Sequence, residues 1–206
     1  MNTDSMTGGD RELLAAYLRR LAPIPERELA PVLALFRPAG ASRGSLVLSA
    51  GDTPRTIGFL AAGLLRLFYL DAEGRESTKS FCAAPDLVAA YSALLLAEPA
   101  RFFIEALEDS RLLVADFAAF RQATDSHPAW QRLRLAIAEG LFVKKERREA
   151  ALMLDDAPTR YRRFLAEEPG LIGRVRLQHI ASYLGVTPVS LSRIRARLRR
   201  DEPDSG

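Results

Sequence analysis

Cysteine, histidine and long apolar runs are scarce in this sequence, and each scarcity excludes a class of protein. Cys82 is the only cysteine among 206 residues, so one chain can form neither a disulfide framework nor a four-cysteine iron–sulfur site. No apolar run reaches about 18 residues, and the opening MNTDSMTGGD lacks the basic and apolar regions of a signal peptide. We therefore expect a protein of the reducing cytoplasm that does not enter a membrane.

The chain has only two histidines, His127 and His179. Metal-dependent chemistry on a β-barrel needs a cluster of histidine and carboxylate ligands, and the region before His127 contains no histidine. Ser190 and Ser192 have no histidine base beside them in the sequence, which argues against a nucleophilic serine. The sequence predicts neither an enzyme nor a metal site.

The net charge is only +3, but the basic residues are unevenly placed. Residues 157–200 contain ten arginines and two acidic residues, a local excess of eight positive charges. Such an excess suits a surface that meets nucleic acid. The whole chain nevertheless has 26 arginines against three lysines, so a general preference for arginine explains part of the pattern, and charge alone leaves both readings open.

The periodicity of the apolar residues changes twice along the chain. RELLAAYLRRL and ERELAPVLALF have a helical repeat and predict two N-terminal helices. After Phe36, short β-type runs are separated by glycines at positions 40, 51, 63 and 74, a spacing typical of a small β-barrel or sandwich. TIGFLAA, LLRLFYL, RFFIEAL and RLLVADF are predicted strands, the last two paired around EDS.

A long helix is predicted from about Pro128 to Leu154, and another between Pro158 and Pro169. In the long helix, apolar side chains recur at steps of three and four residues. Such a stripe packs on its own barrel or on a second copy of itself, and we expect a homodimer. The predicted dimerisation residues are Trp130, Leu133, Ile137 and Leu141.

The segment from Leu177 to Arg200 has the pattern of a helix-turn-helix. Gly185 suits the turn, Thr187 is a good N-cap, and Pro188 fits the first position of the second helix. The residues expected to pack the two helices together are Ile180, Ala181, Leu184, Val186, Leu191 and Ile194. The residues expected to contact DNA are Thr187, Val189, Ser190, Ser192, Arg193, Arg197 and Arg199.

The order of barrel, long helix and helix-turn-helix resembles the Crp/Fnr family of bacterial transcription regulators. GLLRLFYLDAEGRE and IASYLGVTPVSLSRIRARL carry the resemblance most strongly, and it extends over residues 36–198. It implies an α+β fold with a β-roll sensor domain of jelly-roll type behind N-terminal helices (1–127), a dimerisation helix (128–155) and a winged helix-turn-helix (156–206). The wing should be reduced, because GLIGRVR is too short for a long β-hairpin.

The chain departs from this family in its candidate sensor site. Relatives that bind cyclic AMP have Gly-Glu and Arg-Ser for the ribose and the phosphate, where this chain has Ala89-Ala90 and Ala100-Arg101. Ser92 and Arg101 remain as candidate ligand-binding residues, although Arg101 also suits a solvated surface. We expect no cofactor, with cyclic AMP, haem and an iron–sulfur cluster all disfavoured, and the effector stays unassigned.

The predicted reading helix departs as well. Val189 stands where many relatives have a glutamate, whereas Ser192 and Arg193 are kept, and Arg193 suits guanine recognition. The sequence therefore predicts a dimeric DNA-binding transcription regulator with a palindromic operator and, for an activator, RNA polymerase as a further partner. The alternative is a ligand-binding regulatory subunit of cyclic-nucleotide type that acts on a protein partner, which explains the β-roll but not the helix-turn-helix.

Overall fold

The structure, a computed structural model, describes residues 7–125 and 127–201. Its N-terminal part contains α1 Thr7–Leu21, α2 Glu26–Leu33, β1 Arg37–Ala41, β2 Leu46–Leu48, β3 Thr56–Ala62, β4 Leu64–Leu70, β5 Glu76–Ala83, β6 Asp86–Val88, α3 Tyr91–Leu96, β7 Phe103–Ala106, β8 Ser110–Asp116 and α4 Phe117–Thr124. Its C-terminal part contains α5 Pro128–Leu154, α6 Ala157–Glu167, a 3-10 turn Pro169–Leu171, α7 Leu177–Tyr183 and α8 Pro188–Asp201.

The helices predicted from apolar periodicity are confirmed. The two N-terminal helices are α1 and α2, and α5 has the bounds expected from the sequence. α5 begins after His127, whose Nδ1 accepts a hydrogen bond from the Ala129 backbone at 3.1 Å. α6 begins after Asp156, whose carboxylate accepts from the Thr159 backbone at 2.9 Å. Side-chain caps of this kind satisfy backbone N–H groups that a helix leaves unpaired at its start.

Two antiparallel four-stranded sheets form the β-roll, in the orders β1-β8-β3-β6 and β2-β7-β4-β5. The predicted strands TIGFLAA and LLRLFYL are β3 and β4. The predicted pairing of the last two strands is wrong, because β7 pairs with β2 and β4 whereas β8 pairs with β1 and β3. The short connection at residues 107–109 crosses from one sheet to the other. Alternation identifies strands but does not specify their partners.

Both faces are covered over most of β3 and the first part of β4, which explains why these two strands are apolar at nearly every position. Successive side chains of a strand point to opposite faces. In β3, Leu60 faces the interior of the roll, whereas Phe59 packs with α1, α2, α4 and the first turns of α5. In β4, Leu65 faces the interior, whereas Leu64 packs with the C-terminal helices. The chain therefore stacks as helices, sheet, sheet and C-terminal helical unit.

A close approach fixes the corner between β3 and β4. Gly63 has φ +105°, and a Cβ there would lie 2.8 Å from the Cα of Ser110, so this corner requires glycine. The glycines at 51 and 74 also have positive φ, in turns, whereas the glycine at 40 lies within β1. Three of the four regularly spaced glycines thus mark turns.

The C-terminal unit contains helices only. Between α6 and α7 the chain makes the 3-10 turn and a tight bend, and no strand occurs among the described residues 155–201. At the place where the sequence predicted a reduced wing, the chain thus forms this turn instead of a β-hairpin. Among residues 7–125 and 127–201, no helix is long and apolar enough to span a membrane.

Candidate nucleic-acid interface and sensor cleft

The helix pair α7–α8 is built as its sequence pattern predicts. Gly185 ends the first helix with φ +68°, and the backbone N–H of Val186 donates a hydrogen bond to the carbonyl of Ala181 at 3.0 Å. The Thr187 hydroxyl accepts from the Ser190 backbone N–H at 3.1 Å, which confirms it as the N-cap of α8. Local backbone chemistry therefore sets the angle between the two helices.

The apolar residues of the pair face inward and hold it on the rest of the C-terminal unit. Ala181 and Leu191 are completely buried where α7 and α8 meet, and Val186 and Ile194 pack partly buried beside them. Phe164 of α6 contributes to the same core. Burying a leucine-sized side chain contributes about 1.5–3 kcal/mol, so this small core fixes which face of α8 remains outside.

The outward face of α8 carries the predicted DNA-contacting side chains. Val189 is 60% exposed although it is apolar, so the face does not serve the chain's own core. The other predicted contacts are exposed, except Ser190, which is half-buried; they are Thr187, Ser192, Arg193, Arg197 and Arg199. The structure thus brings all seven predicted residues to one side of the helix pair.

The opposite side of the helix pair is docked on the sensor domain. Ser182 of α7 accepts a hydrogen bond from the Thr78 backbone at 2.8 Å and donates to the Glu76 carbonyl at 3.0 Å. Arg148 of α5 donates to the carbonyls of Thr78 and Tyr183, each at 2.9 Å. β5 is an edge strand, so these side chains satisfy backbone groups that its free edge leaves unpaired.

A second contact, on the same side, is an ion pair at the corner of the roll. Arg174 binds Glu108 through two nitrogens at 2.8 and 2.7 Å and also donates to the Gly63 carbonyl at 3.3 Å. The arginine lowers the pKa of the Glu108 carboxyl below its usual range. Both groups are partly exposed, so this pair orients the C-terminal unit more than it stabilises it.

A buried polar network lies under α7. Arg66, 1% exposed, donates to Thr78 Oγ1 at 3.0 Å and to the carboxylates of Glu76 and Glu105 at 2.6 and 3.4 Å. His179 is buried beside this network, and burial, with Arg66 adding repulsion, lowers its pKa from 6.5 to about 4. His179 is therefore neutral while the unit is docked.

The predicted dimerisation stripe of α5 faces the chain's own sensor domain at its start. Trp130 and Leu133 are 0% exposed in the core with α1, α2 and α4, and Ile137 packs against that core. Of the predicted residues only Leu141 is exposed, at 42%. A different row of residues remains uncovered on the helix, and it consists of Leu135, Ala138 and Phe142, three and four residues apart. Periodicity alone could not say which stripe the sensor domain would cover.

The candidate ligand-binding residues Ser92 and Arg101 line one cleft of about 470 Å³ at the mouth of the β-roll, where it faces α5. Ala90 and Ala100 are buried apolar residues and offer no polar group to a ribose or a phosphate. The cleft also contains Lys79 of β5 and Lys145 of α5, which were not singled out from the sequence. No local motif marks these two lysines, because they meet only in the fold.

The residues that could bind metal or haem are dispersed. His127 caps α5, whereas His179 is a buried residue of α7. Cys82 is buried in the roll, where burial raises the pKa of its thiol. Over the part of the chain that the structure describes, no group of three or more histidine, cysteine, aspartate or glutamate side chains could hold a metal ion.

Comparisons with known proteins agree with this geometry. The family model described as "Cyclic nucleotide-binding domain" matches residues 41–127. FixK2 from Bradyrhizobium japonicum has a similar structure, with a TM-score of 0.73 and 18% identity over 83% of this chain and 89% of that chain. CooA, as a mutant from Carboxydothermus hydrogenoformans, has a TM-score of 0.68 and 21% identity over 82% and 79%.

A third similar structure is CLP of Xanthomonas campestris, described as a c-di-GMP-responsive global regulator, with a TM-score of 0.69 and 17% identity over 86% of this chain and 93% of that chain. No curated protein matches the sequence. At identities this low, the TM-scores show a common fold and nothing further. The similar structures are Crp/Fnr regulators, so the fold expected from the resemblance is confirmed for most of the chain.

Proposed function

We propose that this chain, which has a cyclic-nucleotide-binding-type domain within a Crp/Fnr fold, is a dimeric, sequence-specific DNA-binding transcription regulator. The observation that carries the proposal is the outward face of α8. An exposed valine, serines and arginines occupy the face that the core leaves outside, and a helix of this composition suits the major groove.

The face divides into a reading part and a holding part. Arg193 lies one to two turns into α8, where a side chain of a docked helix reaches a base edge, and a bidentate arginine contacts guanine O6 and N7. Arg197 and Arg199 lie further along, where the helix leaves the groove beside a phosphate backbone. Val189 supplies an apolar contact at the start of the helix, in place of a carboxylate.

A second copy of the chain would pair along α5. The helix has 27 residues and is therefore about 40 Å long, enough for two copies to place their α8 helices one turn of duplex apart, about 34–36 Å. We place the uncovered row Leu135, Ala138 and Phe142 at this interface beside Leu141, the exposed residue of the predicted seam. Phe142 is 69% exposed, and an isolated chain would leave this large apolar side chain in water.

Neither catalysis nor cyclic AMP binding fits the site. The alanines at the positions expected to hold the ribose and the phosphate remove charge-assisted hydrogen bonds worth about 1.5–3 kcal/mol each. Affinity for cyclic AMP should therefore be lower by about two to four orders of magnitude than in a relative with the full set. The outward face of α8 presents no histidine base to Ser190 or Ser192, so we assign these serines to phosphate contacts. The protein would act in the cytoplasm, where the chromosome lies.

A gel-shift assay on the DNA upstream of the gene tests the proposal. The full chain should form a discrete complex that unlabelled specific DNA removes more readily than random DNA. The double variant Arg193→Ala/Arg197→Ala should lose it, whereas Arg132→Ala, a change at an exposed residue of α5, should keep it. If selection from random DNA also enriches no palindrome, the chain is not a sequence-specific regulator, and the protein-partner alternative takes its place.

A further inference from the structure

An apolar side chain stands uncovered at the start of α8. Val189 is the second residue of the helix and is 60% exposed, whereas Leu191 and Ile194 turn into the core of the helix pair. Among the described residues 155–201, Ile172 is the only other large apolar side chain that is exposed. A single exposed valine is ordinary on a protein surface, so its meaning depends on the groups around it.

The helix that carries Val189 has only positive charge before its last residue. Residues 169–200 contain no aspartate or glutamate, and arginines occupy positions 193, 195, 197, 199 and 200 of α8. Arg193 forms no ion pair with a described carboxylate. The occupant that this face complements is therefore a polyanion, and the proposed function, on which this inference rests, identifies it as duplex DNA.

The absence of carboxylates limits which base edges α8 can recognise. Cytosine offers an amino donor to the major groove, for which a carboxylate is the fitting acceptor, and residues 169–200 contain none. The hydroxyls of Thr187 and Ser190 lie 2.9 Å apart and already share a hydrogen bond. Guanine and thymine suit the remaining groups, because guanine presents two acceptors to an arginine and thymine presents a methyl group to an apolar side chain.

Val189 and Arg193 are placed to act together on neighbouring bases. They are four residues apart in α8, so they lie on one face of the helix, about 6 Å apart along its axis. Long side chains of a helix lean toward its N-terminus, so the guanidinium of Arg193 reaches back toward the turn that carries Val189. Stacked bases of one strand are about 3.4 Å apart. Valine has essentially one χ1 rotamer in a helix, so its methyl groups are held in place.

We propose that α8 recognises a 5-methylpyrimidine beside a guanine, with Val189 against the methyl group and Arg193 on the guanine. Thymine provides this methyl group, and 5-methylcytosine carries the same group at the same position of its ring. Operator binding therefore responds to methylation of cytosine at C5, at the one position of each half-site that Val189 contacts. The inference names the feature of the DNA that the outward face of α8 distinguishes, and so deepens the proposed function.

Base analogues in a selected operator test the inference. Selection from random DNA by the full chain first identifies the operator, and each half-site should contain a thymine next to a guanine. Gel shifts then compare thymine with uracil, and 5-methylcytosine with cytosine, at that position in both half-sites. Each comparison removes only the methyl group and keeps the base pair. One buried methyl group changes affinity by about fourfold, so the methylated member of each pair should bind about fifteenfold more tightly over two half-sites.

Substitutions of Val189 assign the effect to this side chain. Val189→Ala should reduce both ratios to about twofold or less, while the preference for guanine remains because Arg193 is unchanged. Val189 is exposed, so its substitution leaves the core of the helix pair intact, which circular dichroism checks. Val189→Glu should favour cytosine over thymine, because a carboxylate accepts from the cytosine amino group. Ile172→Ala is the matched control, since it removes the other exposed aliphatic side chain of the C-terminal unit, and it should keep both ratios.

Three results overturn the inference and leave the regulator proposal in place. They are a selected palindrome without thymine beside guanine, equal binding of the thymine and uracil operators, and methyl ratios that persist in Val189→Ala. Failure to select any palindrome removes the proposed function itself, and the inference with it. The two failures are therefore distinguished by whether a specific complex forms before any base is changed.

Discussion

Replacing Arg148 by methionine should weaken the docking of the C-terminal helices on the sensor domain. The guanidinium donates to the carbonyls of Thr78 and Tyr183, both at 2.9 Å, and lies 4.6 Å from the Tyr183 ring centroid. Hydrogen bonds to charged groups contribute about 1.5–3 kcal/mol each. One nitrogen serves both carbonyls, so we expect a loss of about 2–4 kcal/mol in the free energy of docking.

The chain contains a convenient pair of probes for this loss. Trp130 is the only tryptophan and lies in the core of the sensor domain, whereas circular dichroism reports on all helices, including α6, α7 and α8. In urea, the two signals should change together in the wild type. In Arg148→Met, helix content should begin to fall at a lower urea concentration than Trp130 fluorescence changes.

Arg132→Met is the control, because Arg132 is an exposed arginine of the same helix that forms no ion pair with a described residue. Its two transitions should remain coincident. If the transitions of Arg148→Met also coincide, and its free energy of unfolding falls by less than about 0.5 kcal/mol, then Arg148 does not hold the two parts together and the reasoning from the edge of β5 is refuted.

Three further results are expected. Phe142→Glu should give monomers by light scattering, because a charge replaces an uncovered apolar contact, and an unchanged dimer mass would remove Phe142 from the interface. Arg193→Ala should reduce the free energy of operator binding by about 1–3 kcal/mol and flatten the base preference at one base pair per half-site. Arg197→Ala should lower the affinity for all DNA sequences alike and reduce the slope of log affinity against log salt concentration by about one. Base preferences retained in Arg193→Ala would contradict guanine reading. The docked His179 has a pKa of about 4 against 6.5, so docking should be strongest above pH 6.5 and weaken as pH falls toward 4, and His179→Gln should lose this part of the pH dependence in the urea transitions.

The sequence predicted the parts of the fold that depend on local chemistry. Thr187, Pro188 and Gly185 define the bounds of α7 and α8 through a cap, a fixed φ and a positive φ, and each of these acts within a few residues. The proline-free segment with apolar periodicity, expected from about Pro128 to Leu154, likewise matches α5. Signals of this kind depend only on residues that are close in the sequence, so they can be recognised without knowledge of the rest of the chain.

Predictions that required knowledge of a distant partner were less successful. RFFIEAL and RLLVADF were correctly assigned as strands, but the sheets that they join depend on β2, β4, β1 and β3. The stripe of Trp130 and Leu133 was correctly apolar, yet the sensor domain, and not a second copy, covers it. Lys79 and Lys145 are 66 positions apart in the sequence and meet only because β5 faces α5, so no spacing rule could pair them.

The position of β5 suggests how a ligand signal could reach the DNA-binding face. At Lys79 the strand borders the cleft, and one residue earlier its free edge is held by Ser182 of α7 and Arg148 of α5. α7 in turn packs through Ala181 against Leu191 of α8, which carries the exposed arginines. A shift of the strand edge would therefore release or tighten the docking of the helix pair, because Phe81 of β5 lies in the same core as Ala181 and Leu191. Regulation would then change the position of α8 relative to α5, and so the spacing of two reading helices in a dimer, without unfolding either helix.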